Sequence, residues 1–322
     1  MAMSLEEFLE EWNNSSPYVH VQTSGSTGAP KPMLVEKQRM LNSARITCDF
    51  LGLHEGDTAL LCMSLDYIAG KMMVVRSLER GLRLIVQESS GHPLQTLEES
   101  ISFAAMVPIQ VYNSLQVPEE RERLRRIRHL IIGGGSIDDA MAAELKGFPN
   151  AVWSTYGMTE TLSHIALRRL SGPETSDWYT PFDSVQISIS DDCLVIDAPE
   201  VCAERLVTND IAELDSVGRF RILGRKDNVI CSGGLKIHAE EIERQLHPHL
   251  RVPYIISKRS DEKFGEIVVL LTEGSANEAR EVCQRVLPKY HQPRVYIHID
   301  HIPLTETGKP ARKEVEILAK KR

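Results

Sequence analysis

The 322-residue chain has a formal net charge of −8, with 42% hydrophobic and 25% charged residues. That balance suits a globular protein with large cores and disfavours broad binding to nucleic acid or anionic membranes. The six cysteines, at positions 48, 62, 193, 202, 231 and 283, form no Cys-x-x-Cys pairs, which excludes a zinc or disulfide framework and points to reduced thiols in a cytoplasmic protein. No stretch reaches the length of a membrane span. Residues 1–14 read as an acidic helix with a capping-box start from Ser4 to Glu7, unlike a signal peptide.

The next stretch concentrates hydroxyls, glycines and one lysine. Thr23, Ser24, Gly25, Ser26, Thr27, Gly28 and Lys31 follow one another closely between Val21 and a proline at 32. Gly25 and Gly28 let backbone N–H groups approach an anion, the hydroxyls add donors and Lys31 adds charge, so the run reads as a phosphate-holding loop. The spacing differs from that of the nucleotide-triphosphatase loop, because Pro30 precedes the lysine. A flexible surface loop is the alternative for such a run taken alone.

Further along, residues 36–51 have helical spacing, 59–63 reads as a buried strand, and 69–80 as a helix ended by Gly81. Strands follow at 82–86 and 103–107, then a charged helix at 119–126 and a strand at 129–132. Strands alternating with helices predict a largely parallel, helix-covered sheet. Gly133, Gly134 and Gly135, with Ser136, lie directly after a strand, where open α/β sheets place ligands; a tight turn explains them equally. An apolar strand from Val152 breaks into a polar turn at Tyr156, Gly157, Met158, Thr159 and Glu160. From 184 to 223 short alternating strands predict a small β-barrel-like region or antiparallel sheet. An α+β unit then starts near Arg225, with a helix at 239–246, strands at 253–257, 266–272 and 294–299, and a helix near 276–287. The division expected is a large domain, 1–224, and a smaller C-terminal domain, 225–322.

Five of these pieces, in this order, resemble the adenylate-forming superfamily of acyl-CoA synthetases, luciferases and peptide-synthetase adenylation domains. They are the Thr-Ser-Gly-Ser-Thr-Gly-x-Pro-Lys run at 23–31, Tyr-Gly-Met-Thr-Glu-Thr at 156–161, Asp210, Gly-Arg-x-Asp at 224–227 and Gly-Lys at 308–309. Within the superfamily, Met-Val-Pro-Ile-Gln at 106–110, the run from Lys226 to Gly234 and His-Gln-Pro at 291–293 resemble the o-succinylbenzoate-CoA ligases of menaquinone biosynthesis. The resemblance implies ATP- and Mg²⁺-dependent joining of a carboxylic acid to AMP, pyrophosphate release, and thioester formation with coenzyme A. A small-molecule acid, ATP and CoA are then the expected partners. Most members carry a long segment before the phosphate loop, so this short form is expected to lack the usual first subdomain, and a second subunit in a homodimer is one way to supply its part.

Carried over residue by residue, the resemblance gives Lys309 as the mobile lysine that bridges the carboxylate and the α-phosphate. Thr159 donates to that phosphate and Glu160 holds Mg²⁺. Tyr156 and Gly157, with Gly133, Gly134 and Gly135, hold adenine, while Asp210 and Arg225 hold ribose or phosphate. Asp227 is the hinge about which a mobile small domain turns, and Ser232, Gly233 and Gly234 line the CoA channel. Asn209 stands where relatives often have glycine, and Asp66-Tyr67 where many have a Phe-His gate. Tyr67 is therefore expected at the mouth of the acid pocket, with nearby Lys71 as the cation for a second carboxylate of the acid. Activation of another aryl or acyl acid, transfer to a carrier protein, and a non-catalytic acyl-nucleotide-binding role are the competing readings.

Overall fold

The computed structural model describes residues 3–22, 32–135, 137–305 and 309–321. Its first helix, α1 (Leu5–Asn13), starts as the sequence predicts: the Ser4 hydroxyl accepts from the Glu7 N–H and the Glu7 carboxylate accepts from the Ser4 N–H. This reciprocal cap satisfies two open donors. Strands β1 (Tyr18–Gln22) and β2 (Pro32–Glu36) then pair antiparallel, with Gln22 opposite Pro32.

The main sheet is built from α2 (Lys37–Leu51), β3 (Thr58–Leu61), α3 (Ile68–Arg80), β4 (Arg83–Val86), β5 (Phe103–Met106), α4 (Pro108–Gln116), α5 (Pro118–Arg126), β6 (His129–Ile132), α6 (Asp139–Leu145), β7 (Ala151–Gly157), β8 (His164–Arg169) and β9 (Thr180–Pro181). Its strand order is β4-β3-β5-β6-β7-β8-β9. It is parallel from β4 to β7 and antiparallel beyond. Successive strand residues point to opposite faces. Ala59 and Leu61 therefore join α2 and α3 in one core, while Leu60 and Cys62 join α4, α5 and α6 in the other. Burial on both faces explains why these strands are apolar without alternation. The sequence reading did not include α4 and α6. Pro108 at the first turn of α4 is the available signal for that helix.

The region expected to be barrel-like is a four-stranded antiparallel sheet, β10 (Gln186–Ser190), β11 (Cys193–Asp197), β12 (Leu206–Leu214) and β13 (Phe220–Arg225), in that order. A Tyr179–Phe220 bridge ties it to the end of the main sheet. The chain then passes through a 3-10 turn, Lys226–Asn228, into a third sheet.

That sheet comprises β14 (Val229–Ser232), β15 (Leu235–His238), β16 (Tyr254–Asp261), β17 (Gly265–Thr272) and β18 (Val295–His298), with α7 (Ala239–Leu246), α8 (Ala276–Val286) and α9 (Arg312–Lys321) around it. The order is β15-β14-β17-β16, and β18 runs parallel to β17. Alternate residues again divide two cores: Val268 and Leu270 face α7 and α8, and Val269 and Leu271 face α9. All six cysteines are free thiols, five of them buried. Among the described residues no helix is long and apolar enough to cross a membrane.

Candidate active site

The site is organised by the turn after β7. Gly157 has no room for a side chain: a Cβ there would run into the Ser163 carbonyl and the His164 backbone. The chain turns back on itself through a 3-10 turn, Thr159–Thr161. The Thr161 hydroxyl accepts from the Met158 N–H at 3.0 Å and donates to the Ser163 carbonyl at 2.8 Å. Leu162, buried beneath, has φ +65°, a conformation that costs an L-residue about 1 kcal/mol or more and persists only where its surroundings enforce it. The result is a rigid loop that leaves Thr159 half-buried and the Glu160 carboxylate exposed.

Tyr156 lies at the base of this loop, ringed by Phe220 and Tyr179. Its hydroxyl donates to Asp210 Oδ2 at 2.6 Å. Burial, and then the adjacent Asp210 carboxylate, push the phenol above the ordinary tyrosine value, so it stays a donor. Asp210 on β12 faces Arg225 on β13 across the sheet, and Arg225 Nη1 donates to Asp210 Oδ1 at 3.0 Å. The other arm of Arg225 donates to Asp227 Oδ2 at 3.2 Å. Burial draws Arg225 down, but Asp210 and Asp227 more than offset it and leave it above the ordinary arginine value. Tyr156, Asp210 and the Arg225–Asp227 pair, from three separate stretches of sequence, thus form one hydrogen-bonded chain that runs from the main sheet to the 3-10 turn before β14.

Lys309 accepts at its carbonyl from the Thr305 N–H at 2.7 Å, and Leu304 bridges Pro310. Burial first and the Arg225 guanidinium second hold its ammonium below the ordinary lysine value. Lys309, about eighty residues further along the chain, is therefore close enough to Arg225 to feel its charge. Of the three glycines after β6, Gly133 lies against β7, where a Cβ would strike the Thr155 hydroxyl, while Gly134, at φ +80°, and Gly135 lie against Val107 and Pro108 at the start of α4. Ser232, Gly233 and Gly234 make the turn between β14 and β15, with both glycines at positive φ (+58° and +86°), the pairing that a two-residue hairpin turn requires.

The phosphate-loop residues Thr23, Ser24, Gly25, Ser26, Thr27, Gly28 and Lys31 lie outside the described residues, as do Ser136 and residues 306–308. The strands on either side of 23–31 are paired across Gln22 and Pro32. Tyr67 is half-buried at the start of α3.

Lys71 is placed differently from the expectation for it. Its side chain is 3% exposed, and its ammonium donates to the His20 carbonyl at 2.5 Å and lies 3.8 Å from Glu11. An ammonium already held by a backbone carbonyl and close to a carboxylate is not a free cation for a substrate carboxylate. The buried cation that lacks a carboxylate among the described residues is Arg76, five residues on. Its Nη2 donates to the Ser163 hydroxyl at 2.6 Å, and its Nε has no hydrogen-bond partner there. Burial pulls it down to about 10, which leaves it charged at neutral pH. His164 completes the layer, 3.1 Å from the Thr47 hydroxyl through Nε2 and 3.1 Å from the Ser163 hydroxyl through Nδ1. Sequence reasoning missed Arg76 because an arginine in an amphipathic helix ordinarily lies at the surface.

Among the described residues no cluster of three or more His, Cys, Asp or Glu side chains could hold a metal on its own. A single exposed carboxylate such as Glu160 suits Mg²⁺, which keeps most of its waters and completes its shell with phosphate oxygens.

Comparison with known proteins gives a consistent picture. Residues 5–198 match the AMP-binding enzyme family. The 2-succinylbenzoate–CoA ligase of Bacillus cereus strain Q1 is 26% identical, with the alignment covering 97% of this chain and 73% of that protein. The crystal structure of an acyl-CoA synthetase (AMP-forming)/AMP-acid ligase II-like protein from Dyadobacter fermentans is 32% identical, covering 97% of this chain and 92% of that one, at a TM-score of 0.66. The o-succinylbenzoate CoA synthetase of Bacillus subtilis, solved with its acyl-adenylate intermediate, is 25% identical over 92% of this chain and 68% of that one, at a TM-score of 0.79. It has also been solved with ATP and magnesium ion.

Proposed function

Because the chain belongs to the AMP-binding enzyme family, we propose that it is an AMP-forming acid–CoA ligase whose acid is o-succinylbenzoate, the substrate named for its relatives. What supports this reading is that Tyr156, Asp210 and Arg225, from three separate motifs, are joined by hydrogen bonds, and that Lys309, from a fourth, feels the Arg225 charge.

Joining a carboxylate to the α-phosphorus of ATP brings two anions together, so charge neutralisation is the principal demand. Lys309 carries a point charge on a long stem and bridges the two. Thr159 donates its hydroxyl to the α-phosphate from the rigid loop. Glu160 would hold Mg²⁺, which shields the phosphate charge when bound. Asp210, already oriented by Tyr156 and Arg225, accepts from the ribose hydroxyls, and Gly133, Gly134 and Gly135 let the backbone approach the edge of adenine. The residues at 23–31 hold the departing pyrophosphate. Arg76 takes the role first assigned to Lys71, as the cation that meets the acid's second carboxylate beneath the Thr159–Thr161 turn.

In the second half-reaction the smaller C-terminal domain turns about Asp227, withdraws Lys309, and brings the Ser232, Gly233 and Gly234 turn to the thiol of CoA. The test is pyrophosphate release from ATP and Mg²⁺ with a panel of acids, with and without CoA. Release with o-succinylbenzoate alone, followed by a CoA thioester and lowered about 10²–10³-fold by Lys309→Ala, is the expected result. No release with any acid, despite ATP binding, overturns the ligase reading. Thioester formation on a carrier protein but not on CoA overturns the assigned acceptor.

A further inference from the structure

We propose that Glu11 and Lys71 act as a clamp on β1 that positions the start of the phosphate loop and so sets the affinity for ATP, an inference that rests on the reading of residues 23–31 given above. Among the described residues β1 pairs with β2 alone, and a strand with an open edge presents unpaired N–H and C=O groups. At His20 both groups are taken by side chains. Glu11 Oε1, from α1, accepts from the His20 N–H at 2.8 Å, and Lys71 Nζ, from α3, donates to the His20 carbonyl at 2.5 Å. Two residues earlier, on the same edge, the Ser16 hydroxyl meets both the Tyr18 N–H at 3.1 Å and the Tyr18 carbonyl at 3.2 Å. A carboxylate and an ammonium thus fill the places that a third strand's C=O and N–H would occupy.

The two grips depend on each other. Glu11 Oε2 lies 3.8 Å from Lys71 Nζ, is buried, and has no hydrogen-bond partner among the described residues. The Lys71 ammonium also sits over the Phe8 ring of α1, 5.5 Å from its centroid. Removing Lys71 leaves the buried Glu11 Oε2 without its cation, and removing Glu11 leaves the Lys71 ammonium without the carboxylate 3.8 Å away. The clamp therefore joins α1, β1 and α3 at a point three residues before Thr23. Small displacements of a group that positions a substrate are costly even when the change is remote from the chemistry. Glu11 and Lys71 touch no reacting atom in this scheme; they are positioning residues.

The test uses the full chain with Glu11→Ala, Glu11→Gln, Lys71→Met and Lys71→Arg. ATP·Mg²⁺ affinity is read by titration calorimetry, and backbone amide exchange over residues 18–22 by mass spectrometry. Glu11→Ala and Lys71→Met are expected to speed exchange at 18–22 and to weaken ATP about tenfold each, with the double variant little worse than either because both grips hold one residue. Glu11→Gln and Lys71→Arg, which keep an acceptor or a donor, should fall between these and the wild type. If Glu11→Ala or Lys71→Met does not fold, the two conservative variants carry the test. Faster exchange with unchanged ATP affinity in the variants, or unchanged exchange, overturns the clamp. A wild type that binds no ATP overturns the phosphate-loop reading itself, and is distinguished from the first case by the wild-type titration.

Discussion

The turn at 156–163 and the link at 225–229 lie at opposite ends of one hydrogen-bonded chain, yet they are held in different ways. The turn is closed by a glycine without room for a methyl group, a threonine that satisfies both of its ends, and a leucine forced into the left-handed region over a buried Arg76–Ser163–His164 layer. The link has one 3-10 turn and an exposed Arg225–Asp227 pair, with Asp227 60% exposed. Exposed pairs of this kind contribute little to stability. Under the proposed mechanism the difference amounts to a division of labour: geometry fixed where charge would develop, and freedom where the smaller domain would turn.

The strongest challenge to that contrast is Gly157→Ala. Its methyl group meets backbone rather than a flexible side chain, so the turn should distort, costing about 2–4 kcal/mol in thermal or denaturant unfolding and removing most adenylation. If the variant retains both stability and activity, the turn is not rigid. Next in size is Arg76→Met, expected to raise the Michaelis constant for o-succinylbenzoate about 10- to 100-fold while leaving that for ATP within about twofold. An equal rise in both constants would make Arg76 a structural brace only.

Asp227→Pro examines the other side. Proline fixes φ at the proposed hinge, so pyrophosphate release in the absence of CoA should persist while thioester formation falls about tenfold or more. Equal loss of both half-reactions would mean that the link does not act as a hinge. A smaller effect concerns pH. Burial, and then the Arg76 charge, hold the His164 imidazole well below its ordinary value of 6.5. The unfolded chain therefore takes up a proton that the folded chain refuses. Stability from this group is fully present above about pH 6.5 and is lost as pH falls below it, by about 1.4 kcal/mol per pH unit until the folded-state value is reached. Denaturant unfolding of the wild type and His164→Gln at pH 7.5 and 5.5 should show a steeper acid loss in the wild type.

Local chemistry determined much of this molecule from the sequence alone. Runs of apolar residues between helices specify a sheet covered on both faces and Gly81 specifies where α3 stops, because each depends only on near neighbours and backbone sterics. The order of the motifs was equally legible, and it points to adenylate chemistry without coordinates. Only the tertiary structure decided how the charges are used. Lys71 and Arg76 lie on the same helix and read alike in sequence, yet one closes the open edge of β1 with Glu11 and the other, without a carboxylate among the described residues, meets Ser163 just after the Thr159–Thr161 turn. The worth of a charge depends on its desolvation and its partner, and both are supplied by residues far away in the chain.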